Sequence, residues 1–246
     1  MNSRPQEANE AAGQAILARV REALRLPAPP PHIRSQTPTA GPAAHPGLAI
    51  LPAEASRPWL PDGGDSPAES LGIFTENLAT LRAECVRVAD MNAAAAWLAG
   101  QARQRGWQRV AFHDDPLIAS VVEVLPCDRY RVDSPGESCD KTMLEACDAG
   151  VSGCECLIAQ TGSILVSSNQ GGRGLSILPH VHVVLARVDQ IVPMLSDALA
   201  VVRQQHQGRL PSMLSFITGP SRTGDIERIL VLGAHGPKEL LVILVG

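Results

Sequence analysis

Along the first twenty-six residues the apolar positions Ala8, Ala12, Ile16, Val20 and Leu24 recur every four residues, joined by Leu17 and Ala23, with charges between them. That spacing predicts one amphipathic helix over residues 1–26, with Gly13 as a weak point because glycine costs about 1 kcal/mol relative to alanine inside a helix. The pattern then breaks. Eleven of the 20 prolines fall between Pro27 and Pro67, and such a stretch supports no packed element, so residues 27–65 read as a linker. Ser66-Pro67-Ala68-Glu69 has the form of a cap followed by proline at the first helical position, which opens a domain over residues 66–246.

Within that domain the periods alternate. Residues 66–82, 92–105, 116–124 and 137–148 carry helical spacing, the last stopping at Gly150, while residues 85–88, 109–113 and 129–132 alternate or run apolar as short strands. The order predicts an α/β fold with a mainly parallel sheet and helices on both faces, in which ligands sit beyond the carboxyl ends of the strands. The second half is richer in strands: residues 156–159, 163–166, 181–185, 214–218, 229–232 and 240–245, with one helix over 192–205. Short strands without helices between them predict antiparallel additions to the parallel core.

The apolar run 213–217 stops at Gly219-Pro220 and is followed by Ser221, Arg222, Thr223 and Asp225. This reads as a strand feeding the first turn of a helix, whose unpaired N–H groups attract an anion, with Arg222 adding a two-pronged cationic donor. The same residues also describe an ordinary helix cap. Gly171-Gly172-Arg173-Gly174 reads either as a turn closing around an anion or as a plain hairpin loop. His180 and His182 share one strand face, as do Cys154 and Cys156, but neither pair has a third ligand nearby, and no metal site is expected. Asp225 and His235, both at turns, form either an acid/base couple beside Arg222 or a structural hydrogen bond.

Composition narrows the function classes. The 246 residues are 45% hydrophobic, enough for a sizeable core, and the net charge of −4 with scattered cations gives no case for nucleic acid or an anionic membrane. Six cysteines without a signal-peptide pattern suit free thiols and the cytoplasm. No Gly-x-Gly-x-x-Gly follows a strand, so the dinucleotide fingerprint is missing, and no Cys-x-x-Cys run of the cluster-binding kind occurs.

From Gly150 onward the chain resembles the LUD-domain family, of the lactate utilization protein C type. The resemblance rests on Gly150-Val151-Ser152, Ile158-Ala159-Gln160-Thr161-Gly162-Ser163, Gly172-Arg173-Gly174-Leu175-Ser176-Ile177-Leu178-Pro179, Thr218-Gly219-Pro220-Ser221-Arg222-Thr223-Gly224-Asp225-Ile226-Glu227 and Leu232-Gly233-Ala234-His235-Gly236-Pro237, in family order. Gln160 departs from the pattern, in which glutamate precedes Thr-Gly. The resemblance implies a three-layer α/β/α sandwich like that of the sugar-phosphate isomerase and CoA-transferase superfamily. It also implies a role in oxidising L-lactate to pyruvate, with iron-sulfur clusters carried by partner subunits and none in this chain. The expected site combines Asp225 and His235 as catalytic residues with Thr161, Gly162, Arg173, Ser176, Ser221, Arg222 and Thr223 around a small carboxylate or phosphorylated metabolite. Two other readings stand beside it. One is an independent enzyme acting on a phosphorylated or CoA-linked metabolite. The other is a noncatalytic assembly or regulatory protein that uses the N-terminal helix and linker as a docking arm.

Overall fold

The computed structural model describes residues 60–132, 140–207, 209–224, 230–233 and 235–246, together with Leu17, Arg19, Arg21 and Glu22. Those four are helical and exposed; the rest of the expected N-terminal helix and nearly all of the expected linker lie outside the described residues. The chain divides into two compact units, residues 1–56 and 57–246, and the second carries the fold.

The second unit opens with α1, Pro67–Thr80, capped by the Ser66 hydroxyl, which accepts from Glu69 N, while the Glu69 carboxylate accepts from Asp65 N. Phe74 and Leu78 are the fully buried large residues of its inner face. The residues before α1 are tied to the domain: Ser70 Oγ donates to Gly63 O and Gln160 Nε2 donates to Pro61 O. After β1, Glu84–Val88, comes α2, Met91–Arg105, capped by Asp90 and ended by Gly106 in the left-handed conformation. Its buried stripe of Ala94, Ala95, Leu98, Ala99 and Ala102 lets the helix lie close against the sheet. β2 (Arg109–His113), α3 (Pro116–Val122, capped by Asp115) and β3 (Asp128–Val132) follow as expected.

The next segment corrects the sequence reading. The helix expected over 137–148 is α4, Lys141–Glu145, one turn long, with residues 133–139 outside the described set. Gly150 does not merely stop a helix. It lies in β4, Ala149–Ser152, a fully buried central strand between β2 and β7, the latter formed by Val181–Arg187. A Cβ at Gly150 would lie 2.5 Å from the Leu175 carbonyl oxygen, so glycine lets the covering helix approach. That helix is α5, Gly172–Ile177, where a turn or hairpin was expected. Gly171 and Gly172, both at positive φ, bend the chain into it.

Six strands make the main sheet, in the order β1-β12-β7-β4-β2-β3 and parallel throughout, where β7 is Val181–Arg187 and β12 is Glu239–Val245. Alternation sorts the two faces. Val110, Val151, Val183 and Ile243 pack under α2 and α3, while Ala111, Val184 and Val242 face the opposite layer. There α4 and α5 supply Leu144 and Leu175, and α1 supplies Phe74 and Leu78. The expected three-layer α/β/α architecture holds, with one addition. The antiparallel pairings lie in a separate sheet rather than extending the parallel one: β5 (Cys156–Ile158), β6 (Ser163–Ser167), β8 (Ile191–Val192) and β9 (Leu214–Ile217) are ordered β8-β5-β6-β9, with β6 antiparallel to both β5 and β9 and β8 parallel to β5. Helix α6, Leu195–Gln205, starts later than expected and covers its outer side with Ala198 and Val202.

The segment after Pro220 is a second correction. Arg222–Gly224 is strand β10, paired antiparallel with β11, Leu230–Leu232, so no helix begins at Ser221 or Thr223; residues 225–229 lie outside the described set. No helix among the described residues is long and apolar enough to cross a membrane.

Candidate functional site

Parallel strands give the sheet two unlike edges, and the functional candidates divide between them. At the amino edge, Lys238 N and Glu239 N donate to His180 O, placing the turn before β12 beside the start of β7. The two motif turns meet here: Ser221 N donates to Pro237 O at 2.8 Å and Gly233 N donates to Ser221 O at 3.0 Å. Ser221 is half-buried, while Arg222 and His235 are exposed. Thr223 sits in β10; Asp225 lies outside the described residues, and with it the proposed pairing to His235.

Thr161 and Gly162 belong to the same neighbourhood through a run of hydroxyls. Thr161 Oγ1 donates to Ser163 Oγ at 2.7 Å, and Ser163 Oγ lies 2.8 Å from Thr218 Oγ1, three residues before Ser221. Gly162 takes φ 63°, and a Cβ there would approach Asn77 Cβ to 2.8 Å. Asn77 Nδ2 in turn donates to Ala159 O at 2.8 Å and Gln160 O at 3.3 Å, clamping the 3-10 turn Ala159–Thr161 onto α1. Replacing Asn77 by alanine strips donors from two carbonyls, and we expect a loss of about 2 kcal/mol in urea unfolding. Gln160 also has a structural role, since its Nε2 donates to Pro61 O and its Oε1 accepts from Leu195 N. A glutamate carboxylate at this position supplies no donor for Pro61 O.

Arg173 and Ser176 are placed elsewhere. Arg173 is exposed in the first turn of α5, and the buried Ser176 Oγ donates to Arg173 O within that helix. The preceding Gly171 packs on His113, the last residue of β2, so α5 starts at the carboxyl edge, away from Ser221 and His235. The residues expected to form one site thus fall into two groups.

The carboxyl edge holds a feature that no sequence motif signalled, a cavity of about 210 Å³. Its position follows from topology. The connection leaving β2 passes over the α2/α3 face and the one leaving β4 over the opposite face, and a crevice opens where neighbouring strands diverge in this way. Met91, Leu117, Ile118, Leu185 and Val245 supply apolar wall; His113, Asp115, Gln170, Arg187 and Gln190 supply polar groups. Asp115 Oδ1 accepts from Leu117 N and Ile118 N, Gln170 Oε1 accepts from Ser167 N, and Gln190 bridges Arg187 N to Cys154 O. Arg187 donates through Nε and Nη2 to Asp189. His113 is 9% exposed, and its Nδ1 has no hydrogen-bond partner. Burial lowers its pKa against the opposing pull of Asp115, the Asn169 backbone and Asp114.

The histidine and cysteine pairs resolve differently from their spacing. His182 is fully buried in β7 with Nε2 2.9 Å from Ser152 Oγ, which itself donates to Gly153 O, while His180 is exposed before the strand. Cys154 packs between the two sheets and Cys156 lies on the outer side of the smaller one beneath α6, because Cys154 precedes β5 and escapes its alternation. Burial pushes both thiols up, Cys156 to about 12, so neither is an activated nucleophile. Among the described residues no group of three or more His, Cys, Asp or Glu is arranged to hold a metal ion.

Comparison with known proteins agrees with this architecture. The LUD domain profile matches residues 71–245. Lactate utilization protein C of Deinococcus radiodurans is 40% identical over 106 residues, an alignment covering 42% of this chain and 49% of that protein. This chain therefore spans about half the length of that relative. Lactate utilization protein C of Geobacillus kaustophilus is 27% identical over 199 residues, covering 76% of this chain and 82% of the relative. A crystal structure of a DUF162 family protein from Deinococcus radiodurans superposes with a TM-score of 0.56 at 29% identity, covering 74% of this chain and 100% of that one. With the family profile matched across most of the chain on a fold shared with a solved DUF162 protein, this chain belongs to the LUD-domain family.

Proposed function

We propose that this chain acts in lactate utilization, as a cytoplasmic subunit of a system that oxidises L-lactate to pyruvate together with iron-sulfur partner subunits. Its relatives named lactate utilization protein C support the role. The observation that carries a binding function is the joining of the two motif turns by the Ser221–Pro237 and Gly233–Ser221 backbone hydrogen bonds. These bring the segments of Arg222 and His235 together at the amino edge, where Arg222 is exposed and supplies a fork of donors for a small anionic metabolite. Thr161 and Gly162 brace this group through the Ser163–Thr218 hydroxyls, and electron transfer belongs to clusters in the partner subunits.

Deleting the gene in its host tests the role. We expect growth on L-lactate to fail, the wild-type gene to restore it, and the purified chain to bring iron-sulfur proteins with it. Arg222→Ala should restore growth only partly while leaving the thermal unfolding of the purified chain unchanged. Undiminished growth of the deletion strain on L-lactate removes the role, and full rescue by Arg222→Ala removes the anion site at the amino edge.

A further inference from the structure

The cavity at the carboxyl edge lies at the opposite edge of the sheet from the motif turns, and it is lined by opposite charges that do not meet. Asp115 Oδ1 accepts from two amides of α3, while Oδ2 takes no hydrogen bond among the described residues. Arg187 is held by Asp189 through Nε and Nη2, which leaves Nη1 unengaged among those residues, and no ion pair joins Arg187 to Asp115. The Gln170 carbonyl oxygen is taken by Ser167 N, so its Nε2 is a second unengaged donor, whereas both ends of the Gln190 amide are bonded. His113 adds no group for a ligand: its unpartnered Nδ1 has no accessible surface, and the imidazole serves as wall.

The lining therefore offers one anionic acceptor, two donors of which one is cationic, and an apolar surface of Met91, Ile118, Leu185 and Val245. A ligand with only a carboxylate faces Asp115 as a like charge, and one with only an ammonium faces Arg187 in the same way. An uncharged apolar ligand takes water from both ions and returns no partner. We propose that this cavity binds a small aliphatic α-amino acid as its zwitterion. The ammonium meets Asp115 Oδ2, the carboxylate meets Arg187 Nη1 and Gln170 Nε2, and the alkyl side chain lies on the apolar wall. The volume of about 210 Å³ sets the size class, below the ~300–1,000 Å³ of pockets for drug-sized molecules. The site stands apart from the lactate reading, since a hydroxy acid lacks the cation that Asp115 calls for, and either proposal survives the failure of the other.

Calorimetric titration of the full chain with L-valine, isobutylamine, isovalerate and 2-hydroxyisovalerate tests it, because the last three keep the alkyl body and remove one charge. Valine should bind, and each of the others should bind weaker by roughly tenfold or more. Asp115→Asn keeps a side-chain oxygen to cap α3 and removes only the charge, so it should weaken valine roughly tenfold and leave isovalerate no weaker. Arg187→Gln, an exposed change, should weaken valine to a similar degree and spare isobutylamine. Gly153 lines the cavity, and a Cβ added there meets nothing within 4 Å, so Gly153→Leu should fill the space and abolish binding. Arg222→Ala should change nothing. The proposal is overturned if valine does not bind, if any single-charge analogue matches it, or if a folded Asp115→Asn protein binds valine like wild type. Should Asp115→Asn not fold, unchanged valine affinity in Arg187→Gln overturns it instead.

Discussion

Gly150→Val should unfold at a temperature about 10 °C below wild type. The position lies in β4, the central strand between β2 and β7, and the side chain would have to enter space held by the Leu175 carbonyl at 2.5 Å and the Pro179 ring at 3.0 Å. The first obstacle is backbone, so no rotamer change relieves it, and α5 has to lift from the sheet. Lifting α5 exposes Leu175 and loosens its contact with Ala111, Val132 and Leu144. Steric insertion into a close-packed core of this kind costs on the order of 4 kcal/mol, and for a unit of this size each kcal/mol moves Tm by roughly 2–4 °C. Calorimetry on the purified protein checks it. A drop under about 3 °C would mean that α5 is free to shift and that the packing described here is looser than its distances.

Stability should also fall steadily between pH 6.5 and pH 4, and His182 is the main reason. Burial lowers its pKa from the ordinary 6.5 to about 4, with no charge nearby to oppose the change. The Ser152 hydroxyl donates to Gly153 O, so the consistent assignment has His182 Nε2–H donating to Ser152 Oγ and leaves Nδ1 as an unpartnered acceptor. The sign follows from linkage. Above pH 6.5 the imidazole is neutral in both states and the native state pays nothing. Below it the unfolded chain takes up a proton that the native one refuses, so stability is lost until about pH 4 and then levels off. The shift corresponds to a loss on the order of 3 kcal/mol over that window. His113, lowered in the same direction by its burial, adds to the slope. Urea unfolding at pH 7.0 and 5.0 measures the effect, and His182→Asn should flatten the difference even though it lowers stability at pH 7.0. An unchanged slope in that variant would assign the acid sensitivity to other groups.

Local chemistry explains which elements were legible in the amino-acid order. Ser66-Pro67 acts within one turn of chain, so the start of α1 could be read directly, and the structure adds Asp115 and Gly106 as equally local signals at the ends of α3 and α2. Strands such as Arg109–His113 and Val181–Arg187 declare themselves by composition. The failures have one physical source. Ala149-Gly150-Val151-Ser152 has too little side chain to look like a strand, and its identity comes from pairing with β2 and β7 and from the helix pressed against it. Arg222–Gly224 looked like a helix start because serine, threonine and aspartate favour that position, yet its backbone partners are in β11, six to ten residues away.

By itself, then, the sequence determined the α/β class, the cap that opens α1, the parallel alternation of the first half and the family to which the motifs belong. Only the tertiary structure decided where the candidate ligand groups stand. It sent Arg173 to the start of α5 and the Ser221 and His235 turns to the other edge of the sheet. It also assembled a cavity from Met91, His113, Gly153, Arg187 and Val245, which are separated by tens of residues and share no motif. Such a site forms because parallel strands all end at one edge and their connections part to opposite faces, a property of strand order that no local window of residues contains.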